Sequence, residues 1–310
     1  MARMMRHPER AEWARGYALL TPAFLVMVVM MVAPLIALVA LSFWTQNGFA
    51  IDRTPTLANY WTIVEPADTP FVWMGIPIPF RYPPPAVLMI KSIMVSLVAT
   101  VLVIVLAYPM AYFLAFRVQR NKTLWLVLLT IPFWTSYLLR VFSWKIILGY
   151  NGAINSALKA LGIIDRPLEF LLYNPAAVTI TLAHAWIAFT VLPIYVSLEK
   201  IDRSLLEAAT DLGDTRWRRF LKVTLPLSAP GTIGAALLVF IPTVGDYVTP
   251  MLVGGPGGTM IGNLIQELFL KQNNAPLGAA VALMMMAVIG VLVAFFLWII
   301  GFRKLRSRVS

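Results

Sequence analysis

Residues 204–226 read SLLEAATDLGDTRWRRFLKVTLP, a charged stretch that lies between two long apolar segments. Four apolar residues in it recur at i, i+3, i+4 and i+7, which is the spacing of one face of a short helix. They are Leu205, Ala208, Ala209 and Leu212. The stretch therefore predicts a helix outside the membrane, in a connection between two helices that lie inside it.

The residues around this predicted helix indicate where it begins and ends. Ser204 and Glu207 fit the S-x-x-E pattern of a capping box, which would start the helix. Gly213 suits the left-handed residue that ends a helix, and a second, basic helix follows before Pro226 opens the next apolar segment. Such a hairpin could lie on the lipid surface, with Glu207 only as a cap, or it could contact a partner protein.

The composition excludes a soluble protein. Of the 310 residues, 60% are hydrophobic and 13% are charged, a balance typical of chains that cross a membrane several times. Each long apolar segment reaches the ~20 residues that a helix needs to cross the bilayer core, and no alternating pattern suggests the strands of a barrel. We therefore predict an all-α polytopic membrane protein with six spans. They lie at roughly 17–44, 86–116, 123–149, 173–198, 226–253 and 276–302.

The basic residues predict the orientation of these spans. Most of the 25 lysines and arginines fall on one side if both termini are cytoplasmic, as the positive-inside rule requires. The net charge of +11 then follows from membrane topology, and no nucleic-acid partner is needed to explain it. This orientation predicts a cytoplasmic segment 1–16, a permease domain 17–302 with an outer loop 45–85 and a cytoplasmic loop 199–225, and a basic tail 303–310.

Several kinds of chemistry are excluded by missing residues. The chain has no cysteine and two histidines, which leaves no basis for thiol catalysis, disulfides or a histidine metal cluster. It also lacks the G-x-x-x-x-G-K-[ST] motif, so it cannot bind nucleotide phosphates through a P-loop. We expect no catalytic residue, metal or cofactor on this chain. ATP and its magnesium would belong to another subunit.

Spans 3 and 5 carry the residues that point to a transport pathway. Pro132 is expected to kink span 3, near Trp134, Tyr137 and Arg140. Span 5 contains several prolines and glycines, and such interruptions are tolerated where backbone lines a cavity. Its carboxylate, Asp246, would lie inside the membrane, where an acid costs a few kcal/mol and a functional role is the default hypothesis. The alternatives are a structural pair with Arg140 and a position solvated at the outer interface.

The cytoplasmic loop resembles the EAA loop of ABC importer permeases, whose pattern is E-A-A, three residues, Gly, nine residues, I-x-L-P. This chain matches from Glu207 to Pro226, with Val223 in place of isoleucine. Other stretches are similar to the permeases of putrescine/spermidine importers, and the likeness covers nearly the whole chain. They are the segment from Pro132 to Trp144, the segment from Ile241 to Pro256, residues 260–265 and the Leu57-Ala58-Asn59-Tyr60 tetrapeptide of the outer loop.

This resemblance implies a multi-pass inner-membrane permease of a type I ABC importer. It implies several partners, which are two ATPase subunits, a second and distinct permease chain, an outer solute-binding protein and surrounding lipid. The EAA loop would transmit force from the ATPase through Glu207, Ala208, Ala209, Asp211, Gly213 and Arg216. A polyamine pathway needs acids and aromatic faces that attract cations. The candidates are Asp246, Tyr247, Trp134, Tyr137, Arg140 and Glu267.

The substrate remains open at this point. Similar permeases import opines, phosphonates or ferric iron, and for an anionic substrate Arg140 would be the relevant charge. Where polyamine permeases carry a D-W-P-like stretch before the last span, this chain has Asn274-Ala275-Pro276, which affects the outer mouth. An ion-coupled secondary transporter would need inverted repeats and a buried network of acids. The sequence shows one membrane acid and no internal repeat.

Overall fold

Helices make up almost all of the computed structural model, which describes residues 7–66, 72–73, 76–77 and 83–306. Short strands occur only in the outer segment. The elements in chain order are α1 His7–Ser42, β1 Thr45–Asn47, β2 Ala50–Asp52, α2 Ala58–Val64, β3 Val72–Trp73, β4 Ile76–Pro77, α3 Pro84–Phe116, α4 Lys122–Thr130, α5 Tyr137–Leu148, α6 Ala153–Ala160, α7 Pro175–Glu199, α8 Arg203–Asp211, α9 Arg216–Arg219, α10 Leu225–Val244, α11 Gly255–Gly258, α12 Ile261–Leu270 and α13 Ala275–Arg306.

Five helical segments of the described chain are long and apolar enough to cross a membrane. They are Gly16–Ser42 of α1, α3, α7, Arg216–Val244 and Ala275–Trp298 of α13. A sixth span exists if α4 and α5, with the segments that extend them, are counted together. The six predicted spans thus correspond to five continuous helices and one bent pair, and the all-α class is confirmed.

Span 3 is broken rather than kinked. The segments Lys122–Trp134 and Tyr137–Ala160 meet at an angle of 81°, and Thr135 between them has extended backbone. Pro132 lies in a short 3-10 helix at this junction, because a proline cannot donate the backbone hydrogen bond that would continue an α-helix. The predicted site of the distortion is therefore right, and the predicted span 123–149 corresponds to this bent pair of helices.

Span 5 is more continuous than its prolines and glycines predicted. One helical run extends from Arg216 to Val244, so the second helix of the hairpin formed by α8 and α9 continues directly into the membrane. A π-helical turn at Phe220–Thr224 joins them, and the amide of Leu225 donates to the Phe220 carbonyl. This wider turn accommodates Pro226, which has no amide proton to donate. The real interruption comes after Val244, and the predicted end at residue 253 was wrong.

A core of α3, α7 and α10 supports the rest of the molecule. The three helices pack closely on one another, and Gly231 explains part of this fit, because a methyl group there would lie 2.6 Å from the Pro193 carbonyl oxygen. Near the hairpin end, the Tyr108 hydroxyl lies 2.6 Å from the Ser228 hydroxyl. By contrast, α1 packs mainly against α13 and exposes apolar side chains along its length, as expected of a helix in lipid.

The outer segment begins with a hairpin and a short helix tied to the end of α1. β1 and β2 pair antiparallel, and Gly48 in the turn has a positive φ of 63°. Asn59 is buried and donates to the carbonyls of Ser42 (2.9 Å) and Trp44 (2.7 Å). The expectation that 45–85 forms no continuous helix is confirmed for its described part. Residues 67–71, 74–75 and 78–82 lie outside the described residues.

Candidate functional site

The helical hairpin of α8 and α9 starts at a cap that the sequence analysis misplaced. Asp202 caps α8, and its carboxylate accepts the backbone amide of Ser204 at 3.0 Å. The predicted capping box of Ser204 and Glu207 was wrong, because the helix begins two residues earlier than that box would place it and an aspartate is an equally good cap. The Glu207 side chain is exposed and does not cap the helix, because Asp202 does.

Gly213 ends α8 as predicted. Its φ is +85°, its amide donates to the Thr210 carbonyl (2.9 Å), and the next amide, of Asp214, donates to the Ala209 carbonyl (3.1 Å). These two bonds form a Schellman motif, which needs a left-handed residue at this position. The sharp turn therefore depends on the backbone freedom of this glycine.

Two side-chain contacts connect the halves of the hairpin across this turn. Arg219 donates to the Thr210 hydroxyl at 2.6 Å, and Lys222 pairs with Asp214 at 3.1 Å. Exposed ion pairs of this kind contribute about 0–1 kcal/mol each. The backbone turn and these contacts together hold α8 and α9 in one arrangement.

One face of the hairpin packs on the helical core and the other is exposed. Ala209 is buried, and Leu206 and Phe220 pack against a cluster formed by α3 and α7. Leu205 and Leu212, which the helical spacing placed on one apolar face, are 48% and 87% exposed. The predicted apolar face therefore points largely away from the core. It forms an exposed apolar surface flanked by Glu207, Ala208, Asp211, Arg216 and the 68% exposed Trp217.

A cavity of about 350 Å³ lies where the chain leaves α10, beside the start of α5. Aromatic rings, one carboxylate and one guanidinium share its wall. The lining residues are Tyr137, Arg140, Ala185, Trp186, Phe189, Pro242, Gly245, Asp246 and Tyr247. Its position between two interrupted spans matches the rule that irregular backbone at membrane depth lines cavities.

Asp246 is held by three hydrogen bonds. One carboxylate oxygen, Oδ2, accepts from the Tyr137 hydroxyl (2.5 Å) and from the Thr249 hydroxyl (2.6 Å). The other, Oδ1, accepts the backbone amide of Val248 (2.9 Å). The two hydroxyls are also 2.7 Å apart. Hydrogen bonds to a charged group are stronger than neutral ones, so these contacts fix the segment after α10 against α5.

Arg140 supplies the positive charge of the cavity. Its Nη1 donates to the Ala185 carbonyl at 2.9 Å, and its guanidinium lies 4.5 Å from the centre of the Phe133 ring. In the part of the chain that the structure describes, no ion pair joins Arg140 to Asp246. Tyr137 contacts both residues, because Arg140 also lies 5.9 Å from its ring centre. The structural pair considered from the sequence is therefore not formed.

The start of α12 supports the same segment from the other side. Asn263 donates from its side chain to the Tyr247 carbonyl at 2.9 Å. Gly262 lets the helix approach closely, because a methyl group there would lie 2.5 Å from the Gly245 carbonyl oxygen and 2.9 Å from that of Asp246. The backbone that carries Asp246 and Tyr247 is thus fixed between α5 and α12.

The structure brings together four of the six predicted pathway residues. Tyr137, Arg140, Asp246 and Tyr247 line one cavity. Trp134 is 78% exposed in the 3-10 helix before α5, and Glu267 is exposed on α12, so neither lies on this wall. Sequence reasoning did not identify Thr249. The one signal in the sequence that could have indicated Thr249 is its position three residues after Asp246.

Comparison with known proteins places this geometry in a family. Residues 18–306 match the family described as "Binding-protein-dependent transport system inner membrane component". The chain belongs to this family. It is therefore a multi-pass inner-membrane permease component of a transport system that depends on a binding protein, and it crosses the membrane with the helices described above.

Individual relatives agree with this assignment. The chain is 38% identical over 222 residues to the spermidine/putrescine transport system permease protein PotB of Salmonella typhimurium (strain SL1344), covering 72% of this chain and 76% of the relative. It is 34% identical over 264 residues to PotB of Escherichia coli (strain K12), covering 85% and 90% of the two chains. The sequence resemblance to polyamine permeases is thus confirmed.

Solved structures show the same fold at lower identity. A bacterial ABC transporter that imports the acidic polysaccharide alginate matches with a TM-score of 0.62 and 18% identity, covering 92% of this chain and 94% of that chain. The same kind of transporter in complex with an alginate-bound periplasmic protein matches with a TM-score of 0.63 and 18% identity. At 18% identity, the similarity to these two structures shows a shared fold and nothing more.

Proposed function

We propose that this chain is the permease subunit of an ABC importer for polyamines such as spermidine and putrescine. The observation that carries the substrate assignment is the identity of 34–38% to spermidine/putrescine permeases over most of the chain. The cavity supports it, because Asp246 and the rings of Tyr137, Trp186 and Phe189 line one wall. A carboxylate next to aromatic faces attracts ammonium groups.

In this proposal the hairpin receives an ATPase subunit on the cytoplasmic side. Its exposed apolar surface, with Leu205, Leu212 and Trp217 at the centre and charges around it, has the composition of a protein interface. Glu207, Ala208, Asp211 and Arg216 would contact the ATPase, Ala209 would anchor the hairpin to the core, and Gly213 would form the turn. ATP and magnesium would bind to two copies of the ATPase.

The proposed orientation leaves both termini in the cytoplasm, with the segment 1–16 and the tail 303–310 there and the permease domain 17–302 between them. The outer loop 45–85 would face a solute-binding protein that delivers the substrate. A second permease chain, distinct from this one, would complete the pathway. Trp134 and Glu267, which lie outside the cavity, are proposed to meet the substrate only where the pathway extends beyond this cavity.

Arg140 favours a second candidate function within the same class. Its guanidinium lines the cavity without an ion pair among the described residues, so an anionic solute could supply the missing counter-charge. For a polyamine, Arg140 would instead repel a cation that strays from Asp246. The two candidates predict opposite effects of charge removal at these residues.

The test is uptake by the complete importer after Asp246→Asn or Arg140→Gln. Loss of a charged hydrogen-bonding partner costs about 1.5–3 kcal/mol, so Asp246→Asn should reduce putrescine and spermidine uptake by about tenfold or more at equal membrane levels. Asp165→Asn, which removes an exposed carboxylate outside the cavity, is the matched control. If Arg140→Gln abolishes uptake while Asp246→Asn leaves it intact, the polyamine proposal fails and the anionic candidate replaces it.

The dependence on a binding protein gives a second test. The complex in lipid vesicles should hydrolyse ATP faster when the loaded solute-binding protein is added, and free spermidine alone should have almost no effect. Full stimulation by free spermidine would show that the membrane subunits recognise the substrate directly. The delivery step of the proposal would then be wrong.

A further inference from the structure

We infer that Tyr137 and Thr249 close a hydrogen-bonded latch on Asp246, and that a cationic substrate opens this latch when it pairs with the carboxylate. The latch consists of these three side chains. Its existence follows from geometry alone, whereas its opening by a cation rests on the proposed polyamine function. The two halves make separate predictions.

The hydrogen bonds leave little room for another donor at Asp246. Both hydroxyls donate to Oδ2, at 2.5 and 2.6 Å, and a carboxylate oxygen has two lone pairs. Oδ1 already accepts the Val248 amide. An ammonium group that binds at Oδ2 must therefore displace the hydroxyl of Tyr137 or that of Thr249.

The latch joins two places where the backbone is interrupted. Tyr137 is the first residue of α5, directly after the 81° bend in span 3. Asp246 lies in the interruption that follows α10, after Val244, and Thr249 lies in the helical turn that begins directly after this interruption. Interruptions of this kind can act as hinges, since a few residues there absorb changes of φ and ψ. The latch fixes one hinge to the other.

The helix that ends at the latch begins at the cytoplasmic hairpin. The run Arg216–Val244 is continuous, with Trp217 on its exposed first turn and Gly245 at its other end. A shift of the hairpin can therefore reach the segment of Asp246 through one rigid element. Conversely, release of Asp246 from Tyr137 removes a restraint on the far end of the same element, so substrate binding and the hairpin are coupled in both directions.

Two kinds of substitution separate the latch from the charge. Tyr137→Phe and Thr249→Val remove a hydroxyl and keep the shape of the side chain. Asp246→Asn removes the charge but can keep the network, because its amide oxygen can accept the Val248 amide while its NH2 group donates to the two hydroxyl oxygens. The first pair opens the latch with the charge present, and the third variant keeps it closed with the charge absent.

The experiment uses the complete importer in lipid vesicles without polyamine or binding protein. Losing a hydrogen bond to a charged group shifts the equilibrium between the closed and the open latch toward the open state by about tenfold or more. Tyr137→Phe should therefore raise basal ATP hydrolysis severalfold. Thr249→Val should act in the same direction. Tyr150→Phe, a change at an exposed tyrosine beyond the end of α5, is the control and should have no effect.

A second readout observes the cavity itself. Because the chain contains no cysteine, Phe189→Cys, at a half-exposed position in the cavity wall, provides one thiol for a water-soluble maleimide. In this background Tyr137→Phe should accelerate labelling severalfold. Loaded binding protein should accelerate it when Asp246 is present and have no effect in Asp246→Asn.

The outcomes test separately whether the latch exists and whether a cationic substrate opens it. Unchanged ATP hydrolysis and labelling in both Tyr137→Phe and Thr249→Val would overturn the latch. If the hydroxyl variants respond but spermidine-loaded binding protein does not alter labelling of the wild type, the latch stands and its opening by a polyamine is refuted.

Discussion

Replacing Gly213 with valine tests the role of the hairpin most directly. The residue has φ +85°, and a methyl group built on it would meet nothing within 4 Å. The cost is therefore one of backbone conformation alone, about 1–2 kcal/mol for a residue with a side chain in the left-handed region. Since 1.4 kcal/mol corresponds to tenfold, the fraction of hairpins with the native turn should fall by about five- to thirtyfold.

The strain is local, so the protein should still insert. Leu206, Ala209 and Phe220 keep their contacts with the core, and the change affects only the direction in which α9 leaves the turn. Coupled ATP hydrolysis, stimulated by the loaded binding protein, should fall in the order Gly, Asn, Ala, Val at position 213, because asparagine tolerates the left-handed region best among residues with a side chain.

The assay measures stimulated ATP hydrolysis per inserted complex, with Gly290→Ala as the matched control. Gly290 is also free of contacts within 4 Å at its added methyl group, but it lies in α13 without a positive φ. Stimulation of the Gly213→Val complex at the level of the wild type would refute the reasoning. It would show that the turn geometry of the hairpin does not govern the contact with the ATPase.

Three further predictions concern the contacts around this framework. Gly262→Ala should reduce uptake without loss of the chain, because its methyl group would lie 2.5 Å from the Gly245 carbonyl oxygen; normal uptake would show that α12 can move away. Asn59→Ala should accelerate hydrogen exchange in the hairpin of β1 and β2. Removing the bond to the Trp44 carbonyl leaves that carbonyl unpaired, which costs about 1–3 kcal/mol. Unchanged exchange would contradict this. Leu212→Glu should weaken ATPase binding about tenfold. Folding should stay intact, because Leu212 is 87% exposed. Binding equal to that of the wild type would show that Leu212 is not part of the interface.

The two functional features lie at opposite ends of one helix. The hairpin precedes α10 through the π-helical turn at Phe220–Thr224, and the interruption that carries Asp246 follows it. π-helical turns often occur at functional sites, and here the turn lies beside Tyr108 and Tyr112, whose rings contact Phe220 at 5.6 and 6.4 Å. The proposed transport cycle needs such a connection between the ATPase surface and the cavity.

Much of the hairpin could be predicted because its determinants are local. Gly213 is the left-handed residue expected from its place after a helical pattern, and its φ of +85° confirms this. The helical class and the approximate span positions followed from composition and from segment length. The capping residue was misplaced by two positions, because Asp202 and Ser204 are both acceptable caps and no local signal distinguishes them.

The orientation of side chains toward the core was predicted less well. The apolar spacing placed Leu205, Ala209 and Leu212 on one face of the helix, but only Ala209 of these three is buried, and Leu206 packs against the core. Periodicity indicates that a helix has an apolar face, but it cannot say whether that face meets the same chain or another protein. The exposed apolar face is understandable only once α3 and α7 are in place beside it.

By itself, the sequence determined the membrane class, the helical hairpin with its glycine turn and the presence of one acid in an interrupted span, because composition, spacing and single-residue backbone preferences act locally. Only the tertiary structure decided the 81° bend of span 3 and the contact of Tyr137 with Asp246, which are 109 residues apart in the chain. A hydrogen bond over such a separation depends on how α5 packs beside the end of α10. That packing is the sum of many weak contacts between helices, and no short stretch of sequence encodes it.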